Sequence, residues 1–77
     1  MSESSEYKTS DMYFSAFLRV AGVKFLDSVR EGGRIFFLFE NGEGIRDLKR
    51  EYFNRTAKVS ALDYADEIRN MKAMIHQ

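Results

Sequence analysis

Hydrophobic positions in the first third of the chain repeat with the spacing of an α-helix. Four of them occupy the i, i+3, i+4 and i+7 positions of one helical face: Phe14, Phe17, Leu18 and Ala21. Thr9, Ser10 and Asp11 precede this stripe and are suitable N-cap residues. Gly22 follows it and suits a left-handed C-cap, because glycine has no Cβ to strain the backbone. The pattern predicts a helix from about Asp11 to Ala21.

A β-hairpin is predicted next, because residues typical of strands flank a pair of glycines. The first strand candidate is about Val23 to Val29, and the second is Ile35 to Phe39. Glu31-Gly32-Gly33 lies between them. Two adjacent glycines adopt positive φ without steric cost, so they favour a short turn or a G1 bulge.

Two further helices are predicted in the C-terminal half. After a break at Asn41-Gly42, helical spacing resumes and predicts a helix over about Glu43 to Phe53. Ser60 is the expected N-cap of a third helix, with Asp63 three positions later in a capping-box arrangement. The apolar stripe of this third helix is formed by Tyr64, Ile68, Met71 and Ile75, widened by Ala61, Leu62 and Ala65.

Together these elements predict a small α+β domain in which one helix precedes a β-hairpin and two helices follow it. A short N-terminal strand at Tyr7 and Lys8 can add to the sheet. Residues 1–6 are mostly Ser and Glu, so we expect a flexible tail there and a single domain over residues 7–77.

Composition narrows the class of protein more than it identifies a function. The chain has 77 residues, 44% of them hydrophobic and 31% charged, which fits one folded domain. It contains no cysteine, so we expect no disulfides and a cytoplasmic location. No apolar run approaches the roughly 20 residues that a membrane helix needs, and the first ten residues do not resemble a signal peptide. We expect no membrane association.

Few residues are candidates for catalysis or metal binding. The single histidine, His76, lies next to the C-terminal residue, which is a poor place for a catalytic base. Asn41-Gly42-Glu43-Gly44 lies where a phosphate loop would, but it lacks the Lys and Ser/Thr of such loops. The carboxylates of Asp63, Asp66 and Glu67 fit a stabilised helix N-terminus better than an acid/base pair. The sequence therefore predicts no enzyme, cofactor, metal or small-molecule substrate.

Local charge indicates one candidate binding surface. The net charge of the chain is zero, but residues 46–58 hold five cations against two carboxylates, which leaves +3 there and −3 elsewhere. We call these cations the basic ridge: Arg46, Lys49, Arg50, Arg55 and Lys58. The first three have the i, i+3, i+4 spacing of one helical side, where they can contact the phosphates of DNA or RNA. The alternative is a solvated face whose cations pair with Asp47 and Glu51.

The second predicted strand is apolar on both faces. Ile35, Phe37 and Phe39 alternate with Phe36 and Leu38. A sheet packed on one side normally alternates with polar residues. Either helices cover both faces, or Phe36 and Leu38 meet a second copy or another protein. The edges of the hairpin can also pair across a two-fold axis.

A set of short motifs extends over nearly the whole chain. The motifs are Tyr7-Lys8-Thr9-Ser10-Asp11, Ala16 with Gly22, Gly33-Arg34, Phe37-Leu38-Phe39-Glu40, Tyr52-Phe53-Asn54, Val59-Ser60-Ala61-Leu62 and Arg69-Asn70-Met71-Lys72. Together they resemble a family of very small proteins from bacteria, archaea and their phages that is described only as a domain of unknown function. The resemblance implies a compact, non-enzymatic module in phage or mobile-element biology, and it implies no catalytic residues.

Two functions remain open. The first is a small non-catalytic interaction module that self-associates, as a homodimer or larger assembly, or docks on a larger protein through Phe36 and Leu38. The alternative is a nucleic-acid-binding accessory protein that uses the basic ridge.

Overall fold

A computed structural model describes residues 6–40, 44–55 and 57–75 of the chain. Six elements follow one another along it: β1 (Glu6–Thr9), α1 (Met12–Val20), β2 (Phe25–Glu31), β3 (Arg34–Glu40), α2 (Gly44–Phe53) and α3 (Ala61–Ile75). The protein is therefore α+β, with one helix before the hairpin and two after it, as predicted. The described residues do not include the expected break at 41–42, the expected start of α2 at residue 43, or residue 76.

The three strands form one antiparallel sheet in the order β1-β3-β2. β1 pairs with β3 along its whole length, with Tyr7 opposite Phe39. This confirms the short N-terminal strand. Glu6, which we expected in the tail, is the first residue of β1 and lies opposite Glu40. The rest of the predicted tail, residues 1–5, lies outside the described residues.

The hairpin between β2 and β3 has the predicted glycine turn. Gly32 and Gly33 have φ values of 59° and 81°, and Glu31 pairs with Arg34 on either side of them. A two-residue turn of this kind needs positive φ at both central positions, which only glycine adopts without strain.

The ends of α1 have the caps that its sequence predicts. The carboxylate of Asp11 accepts a hydrogen bond from the backbone N–H of Phe14 at 3.0 Å. At the other end, Gly22 has φ 95° and donates to the carbonyl of Arg19, while Val23 donates to the carbonyl of Leu18. This is a Schellman motif. Because it holds Val23, β2 begins two residues later than predicted, at Phe25.

α1 is the central helix of the protein and is buried on nearly all sides. Five consecutive residues, Phe14 to Leu18, are buried, whereas the stripe predicted only one face and included Ala21, which is exposed. Ser15 is completely buried, and its hydroxyl donates to the carbonyl of Asp11 at 2.8 Å. The buried hydrophobic core consists of Phe14, Ala16, Phe17, Leu18, Phe37, Phe39, Ile45 and Met71.

α3 packs on α1 through a narrower stripe than predicted. Ser60 caps it, accepting from the N–H of Asp63 at 3.3 Å, as predicted. Met71 is completely buried, and the other predicted core residues of α3 are half-buried against the core: Tyr64, Ile68 and Ile75. The predicted widening of the stripe is wrong, because Ala61, Leu62 and Ala65 are exposed. α3 lies at the surface and contacts one main neighbour, so only a narrow face is covered.

Candidate interaction surfaces

One face of the sheet packs against the helices and the other does not. Phe37 and Phe39 are completely buried in the core, whereas their neighbours Phe36 and Leu38 are half-buried and outside it. Residues opposite each other in an antiparallel pair lie on the same face. The strand register therefore defines the outer sheet face as Glu6, Lys8, Asp27, Val29, Glu31, Arg34, Phe36, Leu38 and Glu40.

Among the described residues, the core receives no apolar side chain from the outer sheet face. The half-buried strand residues that pack against it are Tyr7, Phe25 and Ile35, all on the inner face. Phe36 and Leu38, the predicted interface residues, therefore form an apolar centre that the fold does not use for its core. Their absence from the core favours the second interpretation of this strand, a face that meets a second copy or another protein, over cover by helices on both faces.

A lysine shelters part of this apolar centre. The ammonium nitrogen of Lys8 lies 4.8 Å from the centroid of the Phe36 ring and 2.9 Å from a carboxylate oxygen of Glu31. Leu26 lies in a β-bulge between Phe25 and Asp27 and is 40% exposed. The sequence carries no signal for that bulge beyond the polar interruption at Asp27.

The five cations of the basic ridge are all exposed. Three project from α2, and its opposite side packs inward through the buried Ile45 and the half-buried Leu48. Glu51, one of the two carboxylates of α2, makes an interaction of its own. The alternative of a solvated face whose cations pair with Asp47 and Glu51 therefore stays a prediction.

Arg55 holds an unusual backbone conformation just beyond α2. Its φ is 62°, and its N–H donates to the carbonyl of Tyr52 at 3.2 Å. The backbone N–H of Asn54 donates a hydrogen bond to the carbonyl of Arg50 at 2.9 Å. This is the left-handed position at which helices usually place glycine. The ridge thus continues past the end of α2 on a strained residue.

An aromatic cluster joins α1 to the end of α2. The ring of Phe14 lies 5.1 Å from that of Tyr52 and 6.0 Å from that of Phe53, measured between centroids. Tyr52 lies at helical spacing from Ile45 and Leu48 and, like Leu48, packs against the core. Phe53 is 60% exposed, so most of its ring faces water.

Tyr64 ties α3 to α1. Its hydroxyl donates to the backbone carbonyl of Tyr13 at 3.2 Å. Burial, and after it a side-chain hydrogen bond with Tyr52, raises the pKa of Tyr64 to about 12. A phenol that stays neutral and donates to a carbonyl is a structural contact.

Two of the acidic residues near the start of α3 form ion pairs. Asp66 pairs with Arg69, and Glu67 pairs with Arg19 of α1 at 2.9 Å. No three His, Asp or Glu side chains in the described part of the chain are grouped so that they could hold a metal ion. Nor is any helix within those residues long and apolar enough to cross a membrane. Of the weak phosphate-loop candidate at 41–44, residues 41–43 lie outside them, and Gly44 begins α2.

The fold defines a class: a small α+β domain with its helices against one face of a three-stranded antiparallel sheet. The chain belongs to the family described as a domain of unknown function (DUF5659), whose model matches residues 4–77. This confirms the resemblance seen in the motifs. Comparison with curated proteins and with solved structures finds no match.

Proposed function

We propose that this protein is a non-catalytic interaction module that self-associates through its outer sheet face, in phage or mobile-element biology as the motifs imply. The observation that carries the proposal is the apolar centre at Phe36 and Leu38, which lies outside the core. A strand face that meets only water normally carries polar residues. An apolar centre with a charged rim is the usual composition of a protein interface.

The charges on the outer sheet face favour a second copy of the chain as the binding partner. A two-fold interface uses the same patch on both partners, so that patch must be complementary to itself. The outer sheet face carries Lys8 and Arg34 together with Asp27 and Glu31, so both signs surround the apolar centre. The chain has zero net charge, so two copies experience no overall repulsion.

The dimensions of the outer sheet face favour a weak dimer. β3 has seven residues, which corresponds to a length of roughly 24 Å, and three strands span roughly 14 Å. Standard interfaces bury about 800 Å² on each partner, which is more than this face provides. We therefore expect association that depends on concentration.

Sedimentation equilibrium at concentrations up to millimolar tests this proposal. We expect a monomer–dimer equilibrium for the wild type, and a folded monomer for Phe36→Glu and Leu38→Glu, in which the new carboxylate lies near Lys8. Val59→Glu, which changes an exposed apolar residue outside the outer sheet face, should dimerise like the wild type.

Two results would contradict self-association through this face. A wild type that stays monomeric at every concentration would rule out the second copy and leave docking on a larger protein. Loss of folding in the Phe36→Glu and Leu38→Glu variants even at low concentration would show that these residues act as core. Circular dichroism distinguishes an unfolded variant from a folded monomer.

A second candidate function, binding of nucleic acid as an accessory protein, is favoured by the basic ridge. All five ridge cations are exposed. Phosphate contacts of this kind dominate nucleic-acid affinity and make it depend on salt.

Fluorescence anisotropy with labelled DNA and RNA oligonucleotides, at low and near-physiological salt, tests this second candidate. The double variant Lys49→Glu/Arg50→Glu should abolish binding. Lys24→Glu/Lys72→Glu changes the net charge equally at exposed positions outside the ridge, and it should bind more strongly than the ridge variant. Equal loss in both variants would show a general charge effect without a role for the ridge.

A further inference from the structure

α2 places an aromatic ring on the same side as its three cations. Phe53 follows Arg46 by seven residues, Lys49 by four and Arg50 by three. Residues three, four and seven apart are neighbours along one side of a helix. At about 1.5 Å per residue, the side from Arg46 to Phe53 is about 10 Å long. The exposed surface of α2 therefore includes a row of positive charges that ends in an aromatic residue.

The two carboxylates of α2 lie to one side of this row. Asp47 precedes Arg50 by three residues and borders the row there, whereas Glu51 follows Arg50 by one residue, about 100° around the helix axis. An anion that approaches from the Lys49 side thus meets cations first.

Phe53 is held in place while most of its ring is exposed. Its ring lies 6.0 Å from that of Phe14, at an interplanar angle of 32°, and 5.1 Å from that of Tyr52. Its exposed fraction is 60%. A ring that its neighbours already orient loses little conformational entropy when a ligand stacks on it. This combination is what a base-stacking residue requires.

We propose that the basic ridge binds single-stranded nucleic acid and that Phe53 stacks on an unpaired base. This inference rests on the second candidate function above and adds the class of ligand. Arg46, Lys49 and Arg50 contact phosphates along α2, and Arg55 extends the positive surface beyond Phe53. Bases in a duplex are already stacked on each other, so the ring gains a partner only from a single strand.

Anisotropy titrations of the full chain with single-stranded DNA, single-stranded RNA and duplex DNA of equal length test the proposal. Phe53→Leu keeps an apolar side chain against Phe14 but removes the π face. We expect it to weaken single-strand binding roughly 5- to 150-fold, the effect of losing one base stack, and to leave duplex binding within about twofold. Phe53→Tyr keeps the ring and should bind like the wild type. Leu26→Ala, an exposed apolar change on the sheet, is the matched control.

The outcomes distinguish a failure of base stacking by Phe53 from a failure of nucleic-acid binding by the basic ridge. If the Lys49→Glu/Arg50→Glu variant loses binding while Phe53→Leu binds single strands like the wild type, the ridge binds nucleic acid but the stacking inference is wrong. If the wild type binds no oligonucleotide at low salt, both proposals are wrong. If polyglutamate displaces the oligonucleotide as well as unlabelled single strands do, the ridge is a general anion-binding surface, and the stacking inference is again wrong.

A second readout covers the case in which Phe53→Leu fails to fold. In NMR spectra of the wild type, stacking should shift the ring protons of Phe53 upfield when a single strand is added. The ring protons of Phe25, which lies on the sheet, should not move. Unchanged Phe53 resonances in the presence of bound single strand would overturn the proposal.

Discussion

The ammonium nitrogen of Lys8 lies 4.8 Å from the centre of the Phe36 ring. The same nitrogen lies 2.9 Å from a carboxylate oxygen of Glu31, so one side chain from β1 reaches across β3 to β2. This contact covers part of the Phe36 ring on a face to which the core does not extend. It also means that a partner docking on the outer sheet face has to displace Lys8 or pack around it.

Lys8→Ala should lower the free energy of unfolding by about 1 kcal/mol. An exposed cation–π contact contributes roughly 0.5–1 kcal/mol and a surface ion pair roughly 0–1 kcal/mol, so the loss is small but measurable by urea denaturation. Lys72→Ala, which removes an exposed lysine from α3, is the control and should change stability by less. Equal losses in the two variants would show that Lys8 does not shelter Phe36.

Adjacent phenylalanines on β3 should differ sharply in their contribution to stability. Phe37→Ala empties a completely buried site and should cost about 3–5 kcal/mol. Phe36→Ala removes a half-buried ring outside the core and should cost about 1–2 kcal/mol. Chemical denaturation of the two variants below the dimerisation range measures the difference. Similar costs would indicate that the outer sheet face belongs to the folding core.

The parts of the fold that the sequence could predict are those with local signals. Asp11 and Gly22 set the ends of α1, and Gly32-Gly33 set the hairpin, because caps and tight turns depend on residues close together in the chain. The predicted start of β2 at Val23 is wrong because Val23 completes the C-cap of α1. Strand propensity does not indicate that a residue takes part in a helix cap. Leu62 was wrongly placed in the core because helical periodicity does not say how wide a face its neighbours cover.

The candidate surfaces, too, could be predicted only as far as their sequence signals are local. The apolar alternation of β3 predicts two faces, but only the packing of all helices against Phe37 and Phe39 shows which face is left outside the core. The helical spacing of the ridge predicts a common side for its first three cations. Helical spacing also places Tyr52, and not Phe53, on the inward side with Ile45 and Leu48, but how much of the Phe53 ring faces water follows only from the packing of Phe14 and Tyr52 around it.

Gly22→Ala should destabilise the protein, and Gly44→Ala should stabilise it. An added Cβ has open space at both positions, so crowding contributes nothing. Gly22 has φ 95°, where an L-residue is strained by roughly 1–2 kcal/mol. Gly44 is in α2, where alanine should add about 0.4–1 kcal/mol by restricting the unfolded chain. Thermal unfolding compares the two variants, and a shift of the same sign in both would contradict the role of the Schellman motif.

Arg55→Gly should separate stability from binding. Glycine relieves the left-handed strain at φ 62°, so the free energy of unfolding should rise by up to about 1 kcal/mol. Loss of one ridge cation should at the same time weaken nucleic-acid binding and reduce its salt dependence. Arg55→Ala keeps the strain and removes the charge, so it should weaken binding equally without the gain in stability. If both variants bind like the wild type, Arg55 is not part of the binding surface.

The hydroxyl of Tyr64 should make stability fall at alkaline pH. In the unfolded chain a tyrosine ionises near pH 10, whereas burial raises the pKa of Tyr64 to about 12 in the folded protein. The folded state thus favours the neutral phenol, so its contribution is complete below pH 10 and is lost as the pH rises from 10 to 12. Tyr64→Phe cannot ionise at this site. Urea denaturation across this range should therefore show the stability advantage of the wild type over Tyr64→Phe shrinking as the pH rises. A constant difference between the two proteins would show that the hydrogen bond to Tyr13 does not depend on a neutral Tyr64.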